Sequence, residues 1–475
     1  MPPPSPSLLR SLYHIHFSPF LDTNCACAMS VARIFGTALR NNRVPRTAFR
    51  HSANPNSKMQ LRSIVRYRHS PPSQEFETSS AEIRVNSTTI TIKQPDQDDL
   101  QYDHFYLFDH CRCPQCFHPH TKQRLKTLSQ IPSDIHPTAV ALSTSGLHVT
   151  WSTPFAHTSF FPAGFLKRVA DETKLSEHVD SQDDRTLWNF EISKSPPYVE
   201  YDDIMSQQVH QHEQTVLQVL NKVHRFGFCF VTGVPIDAKE TETLIKSISP
   251  IRHTHYGGFW SFTADLAHGD LAYSAQSLPA HTDTTYFTDP AGLQIFHLLS
   301  HPSPGQGGKT LLVDGFHAAS QLSAVDPASY SVLSRLPIPA HASGTKGTLL
   351  RPQISFPVLR HDECGRLAQV RWNNEDRGII GHGWSATEVR HWYQAAQRFE
   401  SLVKSEQAEY WVQLNPGTML IIDNWRVMHG RSEFTGSRTM CGAYIGADDW
   451  HSRRAVLTER YGDVGEMDDI WRFGW

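Results

Sequence analysis

His281-Thr282-Asp283, with His429 far downstream in Ile422-Asp423-Asn424-Trp425-Arg426-Val427-Met428-His429-Gly430-Arg431, constrains this chain more than any other feature. Two imidazoles and one carboxylate in the order His-x-Asp…His can form the facial triad that holds Fe(II) and leaves three coordination positions open for a co-substrate and dioxygen. The fold must then bring two distant segments to one point. After Asp283 the chain runs through Tyr286-Phe287 into Pro290-Ala291-Gly292-Leu293-Gln294-Ile295-Phe296-His297-Leu298-Leu299, whose central apolar residues can alternate across a barrel strand. Ligands at the end of one strand and the start of another suit a barrel mouth. The short motif alone is weak, because a chain with 28 histidines also offers His178/Asp180, His268/Asp270 and His361/Glu363. Strand context is what separates His281/Asp283 from these.

The rest of the composition permits this reading. A length of 475 residues corresponds to about two to three domains, and 39% hydrophobic with 11% aromatic residues can fill a packed core. A net charge of −3 gives no electrostatic footprint for nucleic acid. No uninterrupted apolar run reaches the roughly 18 residues of a membrane span, so no membrane partner is expected.

The first 75 residues differ in kind. They carry Arg10, Arg33, Arg40, Arg43, Arg46, Arg50, Lys58, Arg62, Arg66 and Arg68, and up to residue 70 only one acid, Asp22. An Arg-rich, Ser-containing, acid-poor leader has the profile of a mitochondrial presequence. Residues 1–75 are therefore set aside from the fold, and the mature chain is expected in the mitochondrial matrix. Met29, opening Met29-Ser30-Val31-Ala32-Arg33-Ile34-Phe35, looks a better presequence start than Met1.

Three of the eight cysteines crowd into Cys111-Arg112-Cys113-Pro114-Gln115-Cys116. Thiols this close cannot pair efficiently as disulfides, but three thiolates converging on one ion satisfy most of a tetrahedral structural zinc site. The fourth ligand must come from elsewhere. His110, His118 and His120 are near in sequence, and His157 is distant.

Residues 76–165 read as a small β-rich, zinc-binding N-terminal domain, with a hairpin of 81–85 and 88–92 around Asn86-Ser87 and a later strand at 147–151. Residues 166–202 are polar and read as a connector; residues 203–475 read as the catalytic domain. There, from Ile204 to His224, Val209, Val216, Val219, Leu220 and Val223 recur at helical spacing. That helix stops near Gly227, and 228–232 follows as a strand. Ser385-Ala386-Thr387-Glu388 is a capping box opening a helix that carries Trp392, Ala396, Phe399 and Val403. Residues 411–414, Asn415-Pro416-Gly417 and 418–422 read as strand, turn, strand. The sum is an α+β protein whose catalytic domain is a double-stranded β-helix, the jelly-roll barrel.

From about residue 76 to 460 the chain resembles the carnitine-biosynthesis branch of the Fe(II)/2-oxoglutarate dioxygenases, which comprises trimethyllysine dioxygenase and its sister γ-butyrobetaine dioxygenase. The resemblance is carried by 111–119, Trp260-Ser261-Phe262-Thr263-Ala264-Asp265, Gly269-Asp270-Leu271-Ala272-Tyr273, His281-Thr282-Asp283-Thr284-Thr285-Tyr286-Phe287, 307–316 and 423–431. It implies a structural zinc on Cys111, Cys113, Cys116 and His157, and Fe(II) on His281, Asp283 and His429. It also implies 2-oxoglutarate as co-substrate, with ascorbate as a further cofactor. A dicarboxylate chelating iron needs its far carboxylate clamped, for which a two-pronged guanidinium is suited. The resemblance assigns that clamp to Arg438, with Arg431 as a second contact and Thr310 as a hydrogen-bonding partner.

A quaternary ammonium has no hydrogen-bond donor, so it is recognised by desolvation and cation–π contact in an aromatic cage. Tyr256, Trp260, Tyr273 and Tyr444 stand at the spacings of the trimethylammonium cage of γ-butyrobetaine dioxygenase. The implied reaction is hydroxylation of N6-trimethyllysine to 3-hydroxy-N6-trimethyllysine, the first step of carnitine biosynthesis, with dioxygen as the other substrate. Trimethyllysine carries an α-ammonium that γ-butyrobetaine lacks, and its pocket should offer an acid. Asp270 resembles the trimethyllysine enzyme's version of its loop and is expected to read that group, with Asn373, Asn374 and Asp376 as further head-group contacts. Hydroxylation of γ-butyrobetaine to carnitine is the alternative. A catalytically silent module that binds methylated lysine is a remote one, and the iron set with its arginine argues against it. The resemblance further implies a homodimer.

Overall fold

The computed structural model describes residues 81–94, 98–153, 157–174, 184–263, 274–301, 306–344, 347–381 and 383–462. The expected presequence lies outside the described residues.

Alternation builds the N-terminal unit. β1 (Glu82–Val85), β2 (Thr89–Lys93) and β3 (Leu100–Asp103) form an antiparallel sheet. In β2 the side chains of Ile90 and Ile92 are fully buried while their neighbours are partly exposed, as a pleat with one covered face requires. Asp103 ends β3 and caps α1 (His104–Asp109), its carboxylate accepting from Tyr106 N at 3.0 Å. The cysteine segment leads into a short ladder of β4 (Phe117–His118) and β5 (Gln123–Arg124). A second antiparallel sheet of β6 (Pro137–Ser143), β7 (Gly146–Trp151) and β8 (His157–Pro162) packs Leu147, Val149, Trp151 and Phe161 against Ile90, Ile92 and Leu107. α2 (Ala163–Lys174) adds Phe165 and Leu166 to this core.

The segment 166–202, read as a connector, includes most of α2 and β9 (Tyr198–Glu200). The helix expected from Ile204 is divided: α3 (Tyr201–Ile204) ends there, and α4 (Val209–Phe226) begins beyond it. α4 ends at Gly227, whose φ of 78° is the left-handed conformation that a glycine adopts without steric cost. β10 (Phe228–Thr232) then enters the sheet, with β9 parallel on one side of it.

The chain continues through α5 (Ala238–Ile248), β11 (Ile251–Arg252), β12 (Trp260–Thr263), β13 (Leu278–His281), β14 (Leu293–Ser300) and β15 (Thr310–Asp314). α6 (Gly315–Val325), α7 (Pro327–Arg335), the hairpin of β16 (Leu359–His361) and β17 (Leu367–Val370), and α8 (Ala386–Val403) follow. α8 opens with the expected capping box, Ser385 and Glu388 bonding reciprocally. β18 (Tyr410–Val412), β19 (Met419–Asp423), β20 (Val427–Arg431), β21 (Thr439–Ile445) and α9 (Ala447–Tyr461) complete the catalytic region.

Two sheets face each other. One has the order β11-β21-β14-β19-β10-β9, with β12 also on β21; the other is β13-β20-β15-β18. Phe228, Phe230, Leu298, Leu312, Leu420, Ile422, Val427 and Met440, drawn from both sheets, fill the interior. The alternate residues Cys229, Val231, Leu293, Ile295, Met419, Ile421, Ala443 and Ile445 face α4, α5 and α9. On the other sheet Leu311, Val313 and Met428 meet α6, α7 and α8. Both faces of the central strands are therefore covered, which is why β19 is a continuous apolar run and not an alternating one. The architecture is the jelly-roll barrel expected from the sequence.

Candidate active site

Strand register makes the centre. β13 and β20 pair with His281 opposite His429, and the two rings lie 4.4 Å apart between centroids. Asp283, just beyond β13, sets its Oδ1 3.2 Å from His281 Nε2 and 3.8 Å from His429 Nε2. Cis ligands bonded at roughly 2.1 Å to one ion stand about 3 Å apart, so these three atoms fit a single metal with little adjustment. His281 Nδ1 lies 2.8 Å from Pro279 O; donating there, it leaves Nε2 as the lone-pair atom turned inward.

Charge follows the same geometry. Burial opposes a charge on His281, but the hydrogen bond and charge of Asp283 outweigh it and raise the imidazole, so a cation binding here takes Nε2 as a ligand by displacing its proton. Burial likewise opposes ionisation of Asp283, yet the two histidines hold its carboxyl well below the usual range. His429 is pushed down to about 3 by burial and then by the His281 charge. One carboxylate with two imidazoles is a donor set suited to a divalent cation.

The loop that carries Asp283 is fastened on both sides. Asn424, buried at the β19–β20 turn, accepts from Asp283 N at 2.7 Å and donates to Asp283 O at 3.0 Å and Ala291 O at 2.9 Å. Arg371 Nη2 donates to Thr285 O and Phe287 O, each at 2.6 Å. Between these clamps Thr284 is held at φ 57°, a strained conformation that persists only where its surroundings enforce it.

The cavity containing the triad also takes in Thr310, Arg431, Arg438, Tyr256, Trp260 and Tyr444. Arg438 is 4% exposed and has no carboxylate partner among the described residues. Burial, and after it the Arg431 charge, lowers its guanidinium to about 9. A buried cation in this state is relieved by an anion, which is what the far carboxylate of 2-oxoglutarate offers. Thr310 opens β15 opposite Arg431. Arg431 itself donates through Nη2 to Ser274 O at 2.6 Å and Gln276 O at 2.9 Å, anchoring the segment that leads into β13.

The aromatic wall is assembled by β12 and β21. Trp260 pairs with Gly442, where a Cβ would stand 2.6 Å from the indole and 1.9 Å from Ile295 O. Only a glycine lets the ring settle there. The Trp260 ring is then 6.5 Å from Tyr444 and 5.9 Å from Phe296, and Tyr256 OH is 3.3 Å from Tyr286 OH. Tyr273 and Asp270 lie outside the described residues.

Asn374 does not join this cavity; its amide donates to Glu400 Oε1 at 3.4 Å on the exposed side. Its neighbours Asn373, Glu375 and Asp376 line the cavity instead. The Asn373 side chain accepts from Glu375 N at 2.9 Å, a local turn that reverses which residues face inward. Asp376 is occupied by Thr285 at 2.9 Å and Asn373 at 3.0 Å, whereas the Glu375 carboxylate makes no hydrogen bond among the described residues. Sequence reasoning missed Glu375, Gln294, Tyr286, Phe296 and Asn424. Gln294 was signalled, as the one polar side chain in the apolar stretch that opens β14.

In the N-terminal unit His157 Nε2 lies 3.4 Å from Cys111 Sγ, 3.8 Å from Cys113 Sγ and 3.4 Å from Cys116 Sγ. A tetrahedral ion with bonds of about 2.3 Å to sulfur and about 2.0 Å to nitrogen separates those atoms by about 3.5 Å. The four residues therefore fit zinc. The hydrogen bond between Cys116 and Cys111 holds the Cys111 thiol down against burial and pushes the Cys116 thiol up, as expected of two close sulfurs sharing a proton that a bound cation would release.

Residues 191–444 match the family described as Taurine catabolism dioxygenase TauD, TfdA family, and residues 81–167 match the Gamma-butyrobetaine hydroxylase-like, N-terminal family. Trimethyllysine dioxygenase of Neurospora crassa is 37% identical over 482 residues, covering 94% of this chain and 95% of that one. The Bos taurus protein named trimethyllysine dioxygenase, mitochondrial, is 36% identical, covering 74% and 81%. Gamma-butyrobetaine dioxygenase of Pongo abelii is more distant, at 26% identity over 80% of this chain and 97% of its own. With that identity sustained over nearly its whole length, and with the jelly-roll site described above, the chain belongs to the trimethyllysine dioxygenase family of the TauD, TfdA group.

Proposed function

We propose that this protein hydroxylates C3 of N6-trimethyllysine, with Fe(II) held by His281, Asp283 and His429. The observation that carries the reading is one cavity in which a metal donor set, a buried arginine that lacks a carboxylate partner among the described residues, and an aromatic wall meet. Bound Fe(II), with 2-oxoglutarate and dioxygen, supplies the oxidising power for C–H cleavage, while the co-substrate leaves as succinate and CO2. Arg438 clamps the far carboxylate of that co-substrate, with Thr310 and Arg431 beside it. Tyr256, Trp260 and Tyr444, completed by Tyr273, take the trimethylammonium against their ring faces and exclude water from it. Fixing the cation brings one methylene to the metal, a contribution of orientation rather than acid–base chemistry. Asp270 and the residues 373–376 take the amino-acid head.

The remaining parts of the reading follow the sequence. Zinc on Cys111, Cys113, Cys116 and His157 is structural and holds the N-terminal domain at 76–165; residues 203–475 form the catalytic domain. Ascorbate keeps the iron ferrous, the enzyme is a homodimer, and it resides in the mitochondrial matrix once a presequence within 1–75 is removed.

The test is turnover followed by mass spectrometry, with Fe(II), 2-oxoglutarate, ascorbate and air, offering N6-trimethyllysine and γ-butyrobetaine separately. One oxygen gained on trimethyllysine with matching succinate is expected. Oxygen gained on γ-butyrobetaine alone would keep the chemistry and overturn the substrate.

A further inference from the structure

Tyr444 stands in two places at once. Its ring lines the cavity, and its hydroxyl donates to Oδ2 of Asp283 at 2.7 Å. Gln294 Nε2 donates to the same oxygen. The other oxygen, Oδ1, is the one turned toward His281 and His429. Register explains the convergence: Gln294 on β14 pairs directly with Tyr444 on β21, so the two donors leave the larger sheet side by side and meet the loop that carries Asp283. Both are buried, at 2% and 6% exposure. Facing an acceptor-only carboxylate oxygen, the Tyr444 hydroxyl is the donor of the pair.

We propose that Tyr444 and Gln294 are positioning residues for the metal centre, holding Oδ2 of Asp283 so that the carboxylate offers the ion a single oxygen. The proposal rests on reading His281, Asp283 and His429 as an Fe(II) site. A carboxylate free to rotate about its Cβ–Cγ bond can chelate through both oxygens and take a coordination position that the co-substrate or dioxygen needs. Two donors on one oxygen prevent that rotation. Tyr444 does so with a residue whose ring is also a wall of the cation site, so the substrate cavity and the metal ligand share a side chain.

Tyr444→Phe separates the two roles, because it keeps the ring and removes the hydroxyl. Mn(II) titration of the zinc-loaded enzyme, followed by electron paramagnetic resonance, reads the oxygen-and-imidazole site without competition from the thiolates. Loss of a group that orients a metal ligand typically weakens metal binding by about 10- to 100-fold, and that loss is expected for Tyr444→Phe. The ratio of succinate to hydroxylated product should rise, while the KM for trimethyllysine should move less than the Mn(II) affinity. Gln294→Leu, which leaves the aromatic wall intact, should show the same two changes. Wild-type Mn(II) affinity and coupling in both variants would overturn the proposal, as would a loss of thermal stability with unchanged Mn(II) affinity. Asp283→Ala tests the underlying reading separately: if it binds Mn(II) as the wild type does, the metal site itself is misassigned and the proposal falls with it.

Discussion

Arg438→Met tests the co-substrate reading from the structure's own energetics. The guanidinium is buried and, among the described residues, lacks a carboxylate partner, with burial pulling it down to about 9. Two charge-assisted hydrogen bonds to a carboxylate contribute about 1.5–3 kcal/mol each, and removing one partner of a buried charge pair costs about 3–5 kcal/mol. Arg431 remains in the same cavity and offsets part of that loss, although its guanidinium is engaged with Ser274 O and Gln276 O. A net loss of about 3 kcal/mol corresponds to roughly a hundredfold rise in the KM for 2-oxoglutarate. The KM for trimethyllysine should stay within about threefold, because no cation contact is lost. Thermal stability should hold or rise, since the substitution removes a buried charge. Steady-state kinetics with 2-oxoglutarate, and with 2-oxobutyrate, which lacks the far carboxylate, provide the assay. The wild type should prefer 2-oxoglutarate strongly, and the variant should lose most of that preference. A variant whose KM for 2-oxoglutarate is unchanged and whose discrimination persists would show that Arg438 is not the clamp.

Four further outcomes are expected. His157→Ala should lose stoichiometric zinc by elemental analysis and unfold the N-terminal unit, because structural zinc supplies on the order of 10 kcal/mol; retention of one zinc per chain would refute the assignment. Asn424→Ala should unpair buried backbone groups of Asp283 and Ala291 at about 1–3 kcal/mol each, and calorimetry should record a lower Tm together with a lower kcat. Gly442→Ala should displace Trp260 and raise the KM for trimethyllysine about tenfold or more, with the 2-oxoglutarate KM steady; equal effects on both would point to general misfolding. Glu375→Gln removes a cavity carboxylate that makes no hydrogen bond among the described residues, so the KM for trimethyllysine should rise about tenfold, and an unchanged KM would exclude Glu375 from head-group recognition.

What was legible in the sequence was local or periodic. The α8 capping box and the Gly227 stop are signals contained within a few residues. The histidines and Asp283 were found because an unusual donor set stood beside strand-like runs. What was not legible depends on register between strands. Gln294 becomes meaningful only when β14 lies against β21 and both face Asp283. Gly442 matters because β12 places Trp260 over it. Arg431 shares the strand of His429, but its guanidinium meets carbonyls at 274 and 276 that no spacing rule reaches. At 373–376 the inward residue is chosen by a side-chain-to-backbone turn, so the expectation of Asn374 was displaced to its neighbours.

The choice between the two sister substrates is a problem of length on a rigid frame. In N6-trimethyllysine three methylenes separate the quaternary nitrogen from C3; in γ-butyrobetaine one does. A cage at a fixed distance from the metal can present C3 of only one of them. Here the distance is fixed, because Trp260 and Tyr444 ride on β12 and β21, the triad sits at β13 and β20, and the two sheets share a close-packed interior. Such strands do not slide by two methylenes without breaking their ladders. The far end imposes a second condition. Beyond C3, trimethyllysine carries an ammonium and a carboxylate on the next carbon, whereas γ-butyrobetaine carries a carboxylate alone. Glu375 lines the cavity; a carboxylate placed against the head group would attract the first and repel the second, an unfavourable contact serving discrimination as much as a favourable one, and the Glu375→Gln KM reads whether it does so. On the proposed reading, cage distance and cavity charge would act on the same choice from opposite ends of the substrate.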